Sequence, residues 1–176
     1  MTTEKEVVLV NERDESLGTM EKMDAHRKGL LHRAFSVFIF NSKGEMLLQQ
    51  RARNKYHSAG LWTNACCSHP GPGEAVATAA ERRLREEMGF SVSLEKTFDF
   101  IYRSEMANGL TEHEFDHVYV GFYDGAIRPD NNEVQDYCYK SMDEIKQNLQ
   151  SHPDHYTAWF HIAFPRIETL MSANRR

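Results

Sequence analysis

The sequence predicts a mixed α/β sandwich, one kind of α+β fold. Three observations carry this: short runs of β-branched and aromatic residues make most of the chain strand-like, an Ala-, Arg- and Glu-rich segment interrupts them, and helical patterns close the chain. Val7 to Val10 is a short β-branched run ended by Asn11, hence a strand. His32 to Phe40 reads HRAFSVFIF, as a strand covered on both faces does. The turn Asn41 to Gly44 then leads into Glu45 to Arg51, a hairpin signal. Residues 52–61 read as a polar loop and Trp62 to Cys67 as extended chain. The Pro70-Gly-Pro-Gly73 cluster punctuates the chain before a helix over Glu74 to Met88, which Gly89 ends. Strands are expected over Ser91 to Phe98, Phe100 to Ser104, Glu112 to Tyr123 and Glu133 to Lys140. Ser141 and Glu144 spell a capping box for a further helix, and a last one is expected over Phe164 to Ala173.

With 176 residues, 40% hydrophobic and 27% charged, the chain reads as one globular domain over 1–176. The 21 Lys and Arg against 26 Asp and Glu leave a net charge of −5. That balance argues against nucleic-acid and membrane-surface partners but leaves room for a local pocket for a small anion. Three cysteines, two of them adjacent, make no disulfide framework and point to a reducing compartment. The opening MTTEKEVVLV is charged too early and apolar too briefly for an export signal, and no apolar run approaches the roughly 18 residues of a membrane span. The expected location is the cytoplasm. Nothing in the sequence speaks to the oligomeric state.

Four constellations are candidates for chemistry. In the helix ending at Gly89, Arg82 and Glu86 lie four apart on one face, as do Arg83 and Glu87. The usual meaning of such a pattern is a solvated, salt-bridged helix. Glu74, Arg82, Glu86, Glu87 and Gly89 nevertheless resemble the Nudix box, a loop-helix-loop that sets carboxylates on a diphosphate-bound metal. Ser68 stands where that box opens with Gly, and Arg83 stands where it carries a metal-binding Glu. An arginine cannot help a metal activate water, but it can hold a diphosphate oxygen.

The second constellation is Asn64-Ala-Cys66-Cys67-Ser-His69-Pro70, in which Cys67 and His69 face one side of an extended segment. A free cysteine is ordinarily a small buried apolar residue. The third is Glu112-His113-Glu114, whose two carboxylates share one strand face. Paired carboxylates on a strand are usually solvated; otherwise they are metal ligands or a ligand and a proton carrier. The fourth is His26 and His32, which with His69, Glu112 and Glu114 would make a set suited to Mn2+, Mg2+ or Zn2+.

Taken together, and with Trp159 downstream, these motifs are similar to those of the type I isopentenyl-diphosphate isomerases of the Nudix superfamily, from about Val7 to beyond Trp159. The resemblance implies a Nudix-type α/β/α sandwich with mixed sheets. It also implies interconversion of isopentenyl and dimethylallyl diphosphate through a carbocation, an isoprenoid-biosynthesis reaction. By resemblance, Cys67 and Glu114 are the acid-base pair on opposite sides of the substrate. Tyr102 hydrogen-bonds that carboxylate, and Trp159 turns its π face to the carbocation. Lys22, Arg51, Lys55 and Arg83 hold the diphosphate, with Mg2+ bridging it to Glu87. The first metal, Mn2+, Mg2+ or Zn2+, sits on His26, His32, His69, Glu112 and Glu114. The other six histidines, Cys66 and Cys138 have no assigned role. The competing readings are a Nudix diphosphohydrolase, which would keep the Glu that Arg83 replaces, and a silent metal- or diphosphate-binding module.

Overall fold

Two long strands, joined in parallel, organise the protein. The computed structural model describes residues 5–174. Residues 1–4, part of the segment read against an export signal, and 175–176 lie outside the described residues. In chain order the elements are β1 (Glu6–Val10), β2 (Ser16–Glu21), α1 (Lys22–Lys28), β3 (His32–Phe40), β4 (Met46–Arg51), β5 (Trp62–Thr63), β6 (Cys66–Ser68), α2 (Val76–Met88), β7 (Glu95–Glu105), β8 (Thr111–Phe122), β9 (Val134–Lys140), α3 (Met142–Ser151) and α4 (Ala158–Ala173). Short 3₁₀ turns occupy Ala107–Gly109 and Pro153–His155.

β3 runs parallel to β8, from His32 opposite Glu114 to Phe40 opposite Phe122. β6 adds to β3 and β7 to β8, both antiparallel. The expected hairpin begins with Phe40 opposite Met46, but β4 then leaves β3 to pair with β5 and β9. Alternation along β3 sorts the core. Phe35, Val37 and Ile39 pack with Ala80, Leu84 and Met88 of α2, whereas Phe38 and Phe40 pack with Ile145 of α3 and Phe160, Phe164 and Ile167 of α4. Helices therefore cover both faces of a mixed sheet, the α/β/α arrangement expected. No helix among the described residues is long and apolar enough to cross a membrane.

Several boundaries depart from expectation for identifiable reasons. Residues 16–28 carry no pattern, yet they form β2, exposed and held by its register with β1, and α1, closed by Gly29 at φ 63°. The expected strands over 91–98 and 100–104 are the single strand β7, because exposed Asp99 sits on a sheet edge and still pairs with His117. α2 starts at Val76 instead of Glu74, whose carboxylate is used by the Gly71 N–H and the Arg82 guanidinium. α4 starts at Ala158, six residues before the expected Phe164, and runs through Pro165 without ending there.

Candidate functional site

One strand face carries apolar core at one end and chemistry at the other. On β8, Val118 and Val120 belong to the core under α4, and the preceding residues of the same face are Asp116, Glu114 and Glu112. On β3, His32 lies opposite Glu114 and Ala34 opposite Asp116. The ordinary expectation for paired glutamates, exposure to water, fails here, since Glu112 is 2% and Glu114 6% exposed.

α1 contributes His26, and the chain leaving β6 contributes His69. The donor atoms of His26, His32 and His69 lie within 4.8 Å of one another, as do those of His32, Glu112 and Glu114. All five residues expected to share a metal therefore converge. His26 Nε2 is 3.2 Å from Glu112 Oε1; His32 Nε2 is 3.3 Å and His69 Nε2 2.7 Å from Glu114 Oε2. His26 Nδ1 donates to the Lys22 carbonyl at 2.6 Å and His32 Nδ1 to the Leu30 carbonyl at 2.9 Å. Carbonyls only accept, so in the neutral imidazoles Nε2 carries the lone pair and turns it inward. His32 Nε2 has no hydrogen-bond partner. Buried lone pairs facing buried carboxylates are costly alone, and one divalent cation satisfies both. The donor set fits a metal ion.

The protonation of the acids follows from their neighbours. Burial pushes both glutamates up, yet the histidine contacts outweigh it, so Glu112 and Glu114 are held below the usual carboxylate range. Tyr102 donates its hydroxyl to Glu114; burial and the Glu114 charge push its phenol well up, so it keeps its proton. Burial and the Glu114 charge likewise push Asp116 well above its ordinary range. Asp116 accepts a hydrogen bond from Ser36 Oγ at 2.8 Å, and its other oxygen has no partner.

Strand alternation divides the adjacent cysteines. Cys66, opposite Val37, enters the core under α2, while Cys67, opposite Ser36, faces the site. Cys67 Sγ accepts a hydrogen bond from the Trp159 indole N–H at 2.9 Å and donates to Asn64 Oδ1 at 3.2 Å; Ser36 Oγ lies 3.6 Å away. Burial, then the Asp116 charge, pushes the thiol up to about 12. Cys67 is a held, protonated thiol. Cys67, Glu112, Glu114, Asp116, Arg51 and Trp159 all line one cavity.

The four expected diphosphate-binding cations are placed unequally. Arg51 lines the cavity with its guanidinium 5.4 Å from the Trp159 ring. Lys22 Nζ sits 4.8 Å over the ring of Tyr56, another lining residue. Lys55 pairs with Glu133, and Arg83 reaches Glu86 at 2.6 Å, Glu87 at 2.9 Å, Glu133 at 3.3 Å and Ser68 Oγ at 3.3 Å. Arg83 and Lys55 thus meet through Glu133 outside the cavity lining. Glu87 belongs to this network, also accepting from Gln49 Nε2 at 3.0 Å, and not to the histidine cluster.

Sequence reasoning missed Asp116 and Ser36, named Asn64 only as part of a motif, and gave His57 no role. Extending the Glu112, Glu114 alternation by one step finds Asp116. His57 had no signal: it is one of nine histidines, on an irregular loop. His113 Nδ1, by contrast, donates to the Gly29 carbonyl at 3.0 Å, and His117 Nε2 lies 2.9 Å from Asp14, both outside the cavity.

Comparison with known proteins bears on the family and the fold. The NUDIX domain model matches residues 30–160. The isopentenyl-diphosphate Delta-isomerase of Pectobacterium atrosepticum is 54% identical over 168 residues, covering 96% of this chain and 94% of its own. That of Burkholderia multivorans is 47% identical, covering 93% of each. Among solved structures, DR0079 from Deinococcus radiodurans superposes with a TM-score of 0.77 at 21% identity, covering 92% of this chain and 98% of its own, a likeness of fold.

Proposed function

The chain belongs to the isopentenyl-diphosphate Delta-isomerases, a Nudix-domain family, and from that membership we propose which of its residues carry the reaction. The enzyme interconverts isopentenyl and dimethylallyl diphosphate, moving a C=C bond by adding a proton at one carbon and removing one at another.

The observation that carries the assignment is that Cys67 and Glu114 face one buried cavity from different strands, in surroundings that favour a protonated thiol and an ionised carboxylate. In the direction that starts from this state, the Cys67 thiol gives its proton to the alkene and the Glu114 carboxylate takes one from the tertiary cation. The reverse direction uses the same pair in exchanged roles. Tyr102 keeps the Glu114 oxygen oriented through its hydroxyl, and Trp159 fixes the sulfur through its indole N–H. The Trp159 π face would stabilise the cation by about 2 kcal/mol or more in a desolvated pocket.

Arg51 and Lys22 are assigned to the diphosphate nearest the cavity, with Lys55 and Arg83 reaching it by exchanging their present carboxylate partners. Glu87 would hold Mg2+, which would supply positive charge to the diphosphate. His26, His32, His69, Glu112 and Glu114 would hold Mn2+, Mg2+ or Zn2+, which supplies positive charge that fixes and polarises the Glu114 carboxylate. Arg83 in its ion-pair network leaves the Nudix helix one metal-binding acid short of a hydrolase. A single domain over 1–176 working in the cytoplasm, without nucleic-acid or membrane partners, completes this reading.

The test is incubation with isopentenyl diphosphate and Mg2+ in deuterated water. Deuterium in the recovered substrate together with dimethylallyl diphosphate is the expected result. Phosphate release from nucleoside diphosphate derivatives with no isomerisation would overturn it in favour of the hydrolase.

A further inference from the structure

His57 lies on the irregular loop between β4 and β5, yet its imidazole is buried, with 3% of the side chain exposed, against the carboxylate of Glu112. Its Nε2, the Nε2 of His26 and an oxygen of Glu112 all lie within 4.8 Å of one another. Nε2 of His57, like that of His32, is buried without a hydrogen-bond partner.

The other ring nitrogen fixes the tautomer. His57 Nδ1 is 3.1 Å from Ser58 Oγ, and that hydroxyl directs its own proton to Met106 Sδ at 3.9 Å. The hydroxyl oxygen is thus left to accept, so Nδ1 donates and the lone pair rests on Nε2. The ring is further fixed edge-on to Trp159 and Tyr56, and its backbone carbonyl accepts from Arg51 Nη2 at 3.2 Å. His57 repeats what His26 and His32 do: an anchored Nδ1–H and an inward Nε2 lone pair aimed at an acid. Two lone pairs set against each other in a buried site call for a shared cation.

We propose that His57 is a further ligand of the metal site, making the set four imidazoles and two carboxylates. The proposal rests on reading the cluster as a metal site. Its consequence is chemical. Six protein donors would leave the ion no position for an activated water, the requirement of metal-assisted hydrolysis. The metal would then fix Glu114 without delivering a nucleophile, as a proton-transfer enzyme needs. Nitrogen-rich donors also favour Co2+, Zn2+ or Mn2+ over Mg2+.

The test uses Co2+-loaded protein in ordinary water, where each ligating imidazole with an anchored N–H gives one exchangeable, paramagnetically shifted proton signal. Four such signals, falling to three in His57→Gln, are expected. Co2+ affinity should also fall in that variant, by no less than the ~10–100-fold that outer-shell partners alone carry. His152→Gln, at an exposed position, should change neither. Three signals in the wild-type protein with Co2+ bound would overturn the proposal while leaving the metal reading intact. Failure to bind Co2+ would overturn both. The wild-type count is decisive even if His57→Gln does not fold.

Discussion

Replacing Gly89 with alanine should destabilise the protein far more than an ordinary helix-cap substitution. Gly89 ends α2 at φ 76°, and a Cβ there would lie 2.2 Å from the Arg128 carbonyl oxygen and 2.9 Å from its carbon. The left-handed backbone alone costs an alanine about 1–2 kcal/mol. The carbonyl belongs to a segment tied back by Arg128 N–H to Met88 O at 3.0 Å and Asp130 N–H to Glu87 O at 2.9 Å. Displacing it sacrifices hydrogen bonds worth about 1 kcal/mol each. A loss of roughly 3 kcal/mol follows, which for a chain of this size lowers Tm by ~6–12 °C. Thermal denaturation followed by circular dichroism measures it. Gly89→Asn separates the causes, because asparagine tolerates positive φ but carries the same Cβ. If Gly89→Asn unfolds within ~2 °C of wild type, the close approach of Arg128 is not what demands glycine and the reasoning is wrong.

Other outcomes bear on the site. Cys67→Ala should abolish isomerisation while leaving bound metal unchanged by elemental analysis; normal turnover would remove Cys67 from the proton-transfer pair. His69→Ala should lower the metal retained after dialysis against a chelator, and unchanged content would strike it from the ligand set. Chelation of the wild-type protein should lower Tm, since an ion at a thousandfold excess over its Kd adds ~4 kcal/mol to the folded state. The Cys67 thiol, raised to about 12 when folded, lets the unfolded chain ionise first. Its contribution is fully present below the unfolded thiol value near ~8.5 and is lost as pH rises towards the folded one. Denaturant midpoints at increasing alkaline pH should therefore fall faster for wild type than for Cys67→Ala.

Most of the site was legible because strand alternation is a strong rule. It put Glu112 and Glu114 on one face, and Cys67 and His69 on one side, before any contact was known. It did not reveal that the face was buried, because the covering element, α4, begins six residues earlier than its sequence suggests and carries Trp159 in its first turn. Proline at 165 masks that start. β2 and α1 escaped for the opposite reason: β2 buries nothing, so no apolar period marks it, and α1 spends its buried positions on Ala25 and His26. The bearing of Lys55 and Arg83 on each other rests on Glu133, fifty residues beyond Arg83, which no local pattern connects to them.

The parallel pairing of β3 with β8 also decides when the site comes into being. Nearly half the chain lies between His32 and Glu114, and His69 arrives from a third segment between them. Such non-local pairing forms late, after large loops have closed. An unfolded or half-folded chain offers scattered imidazoles and carboxylates but no chelate. A metal held there would be bound by a product of folding and would not be its template. An ion bound there would act as a latch, slowing unfolding and leaving the rate of folding to the chain.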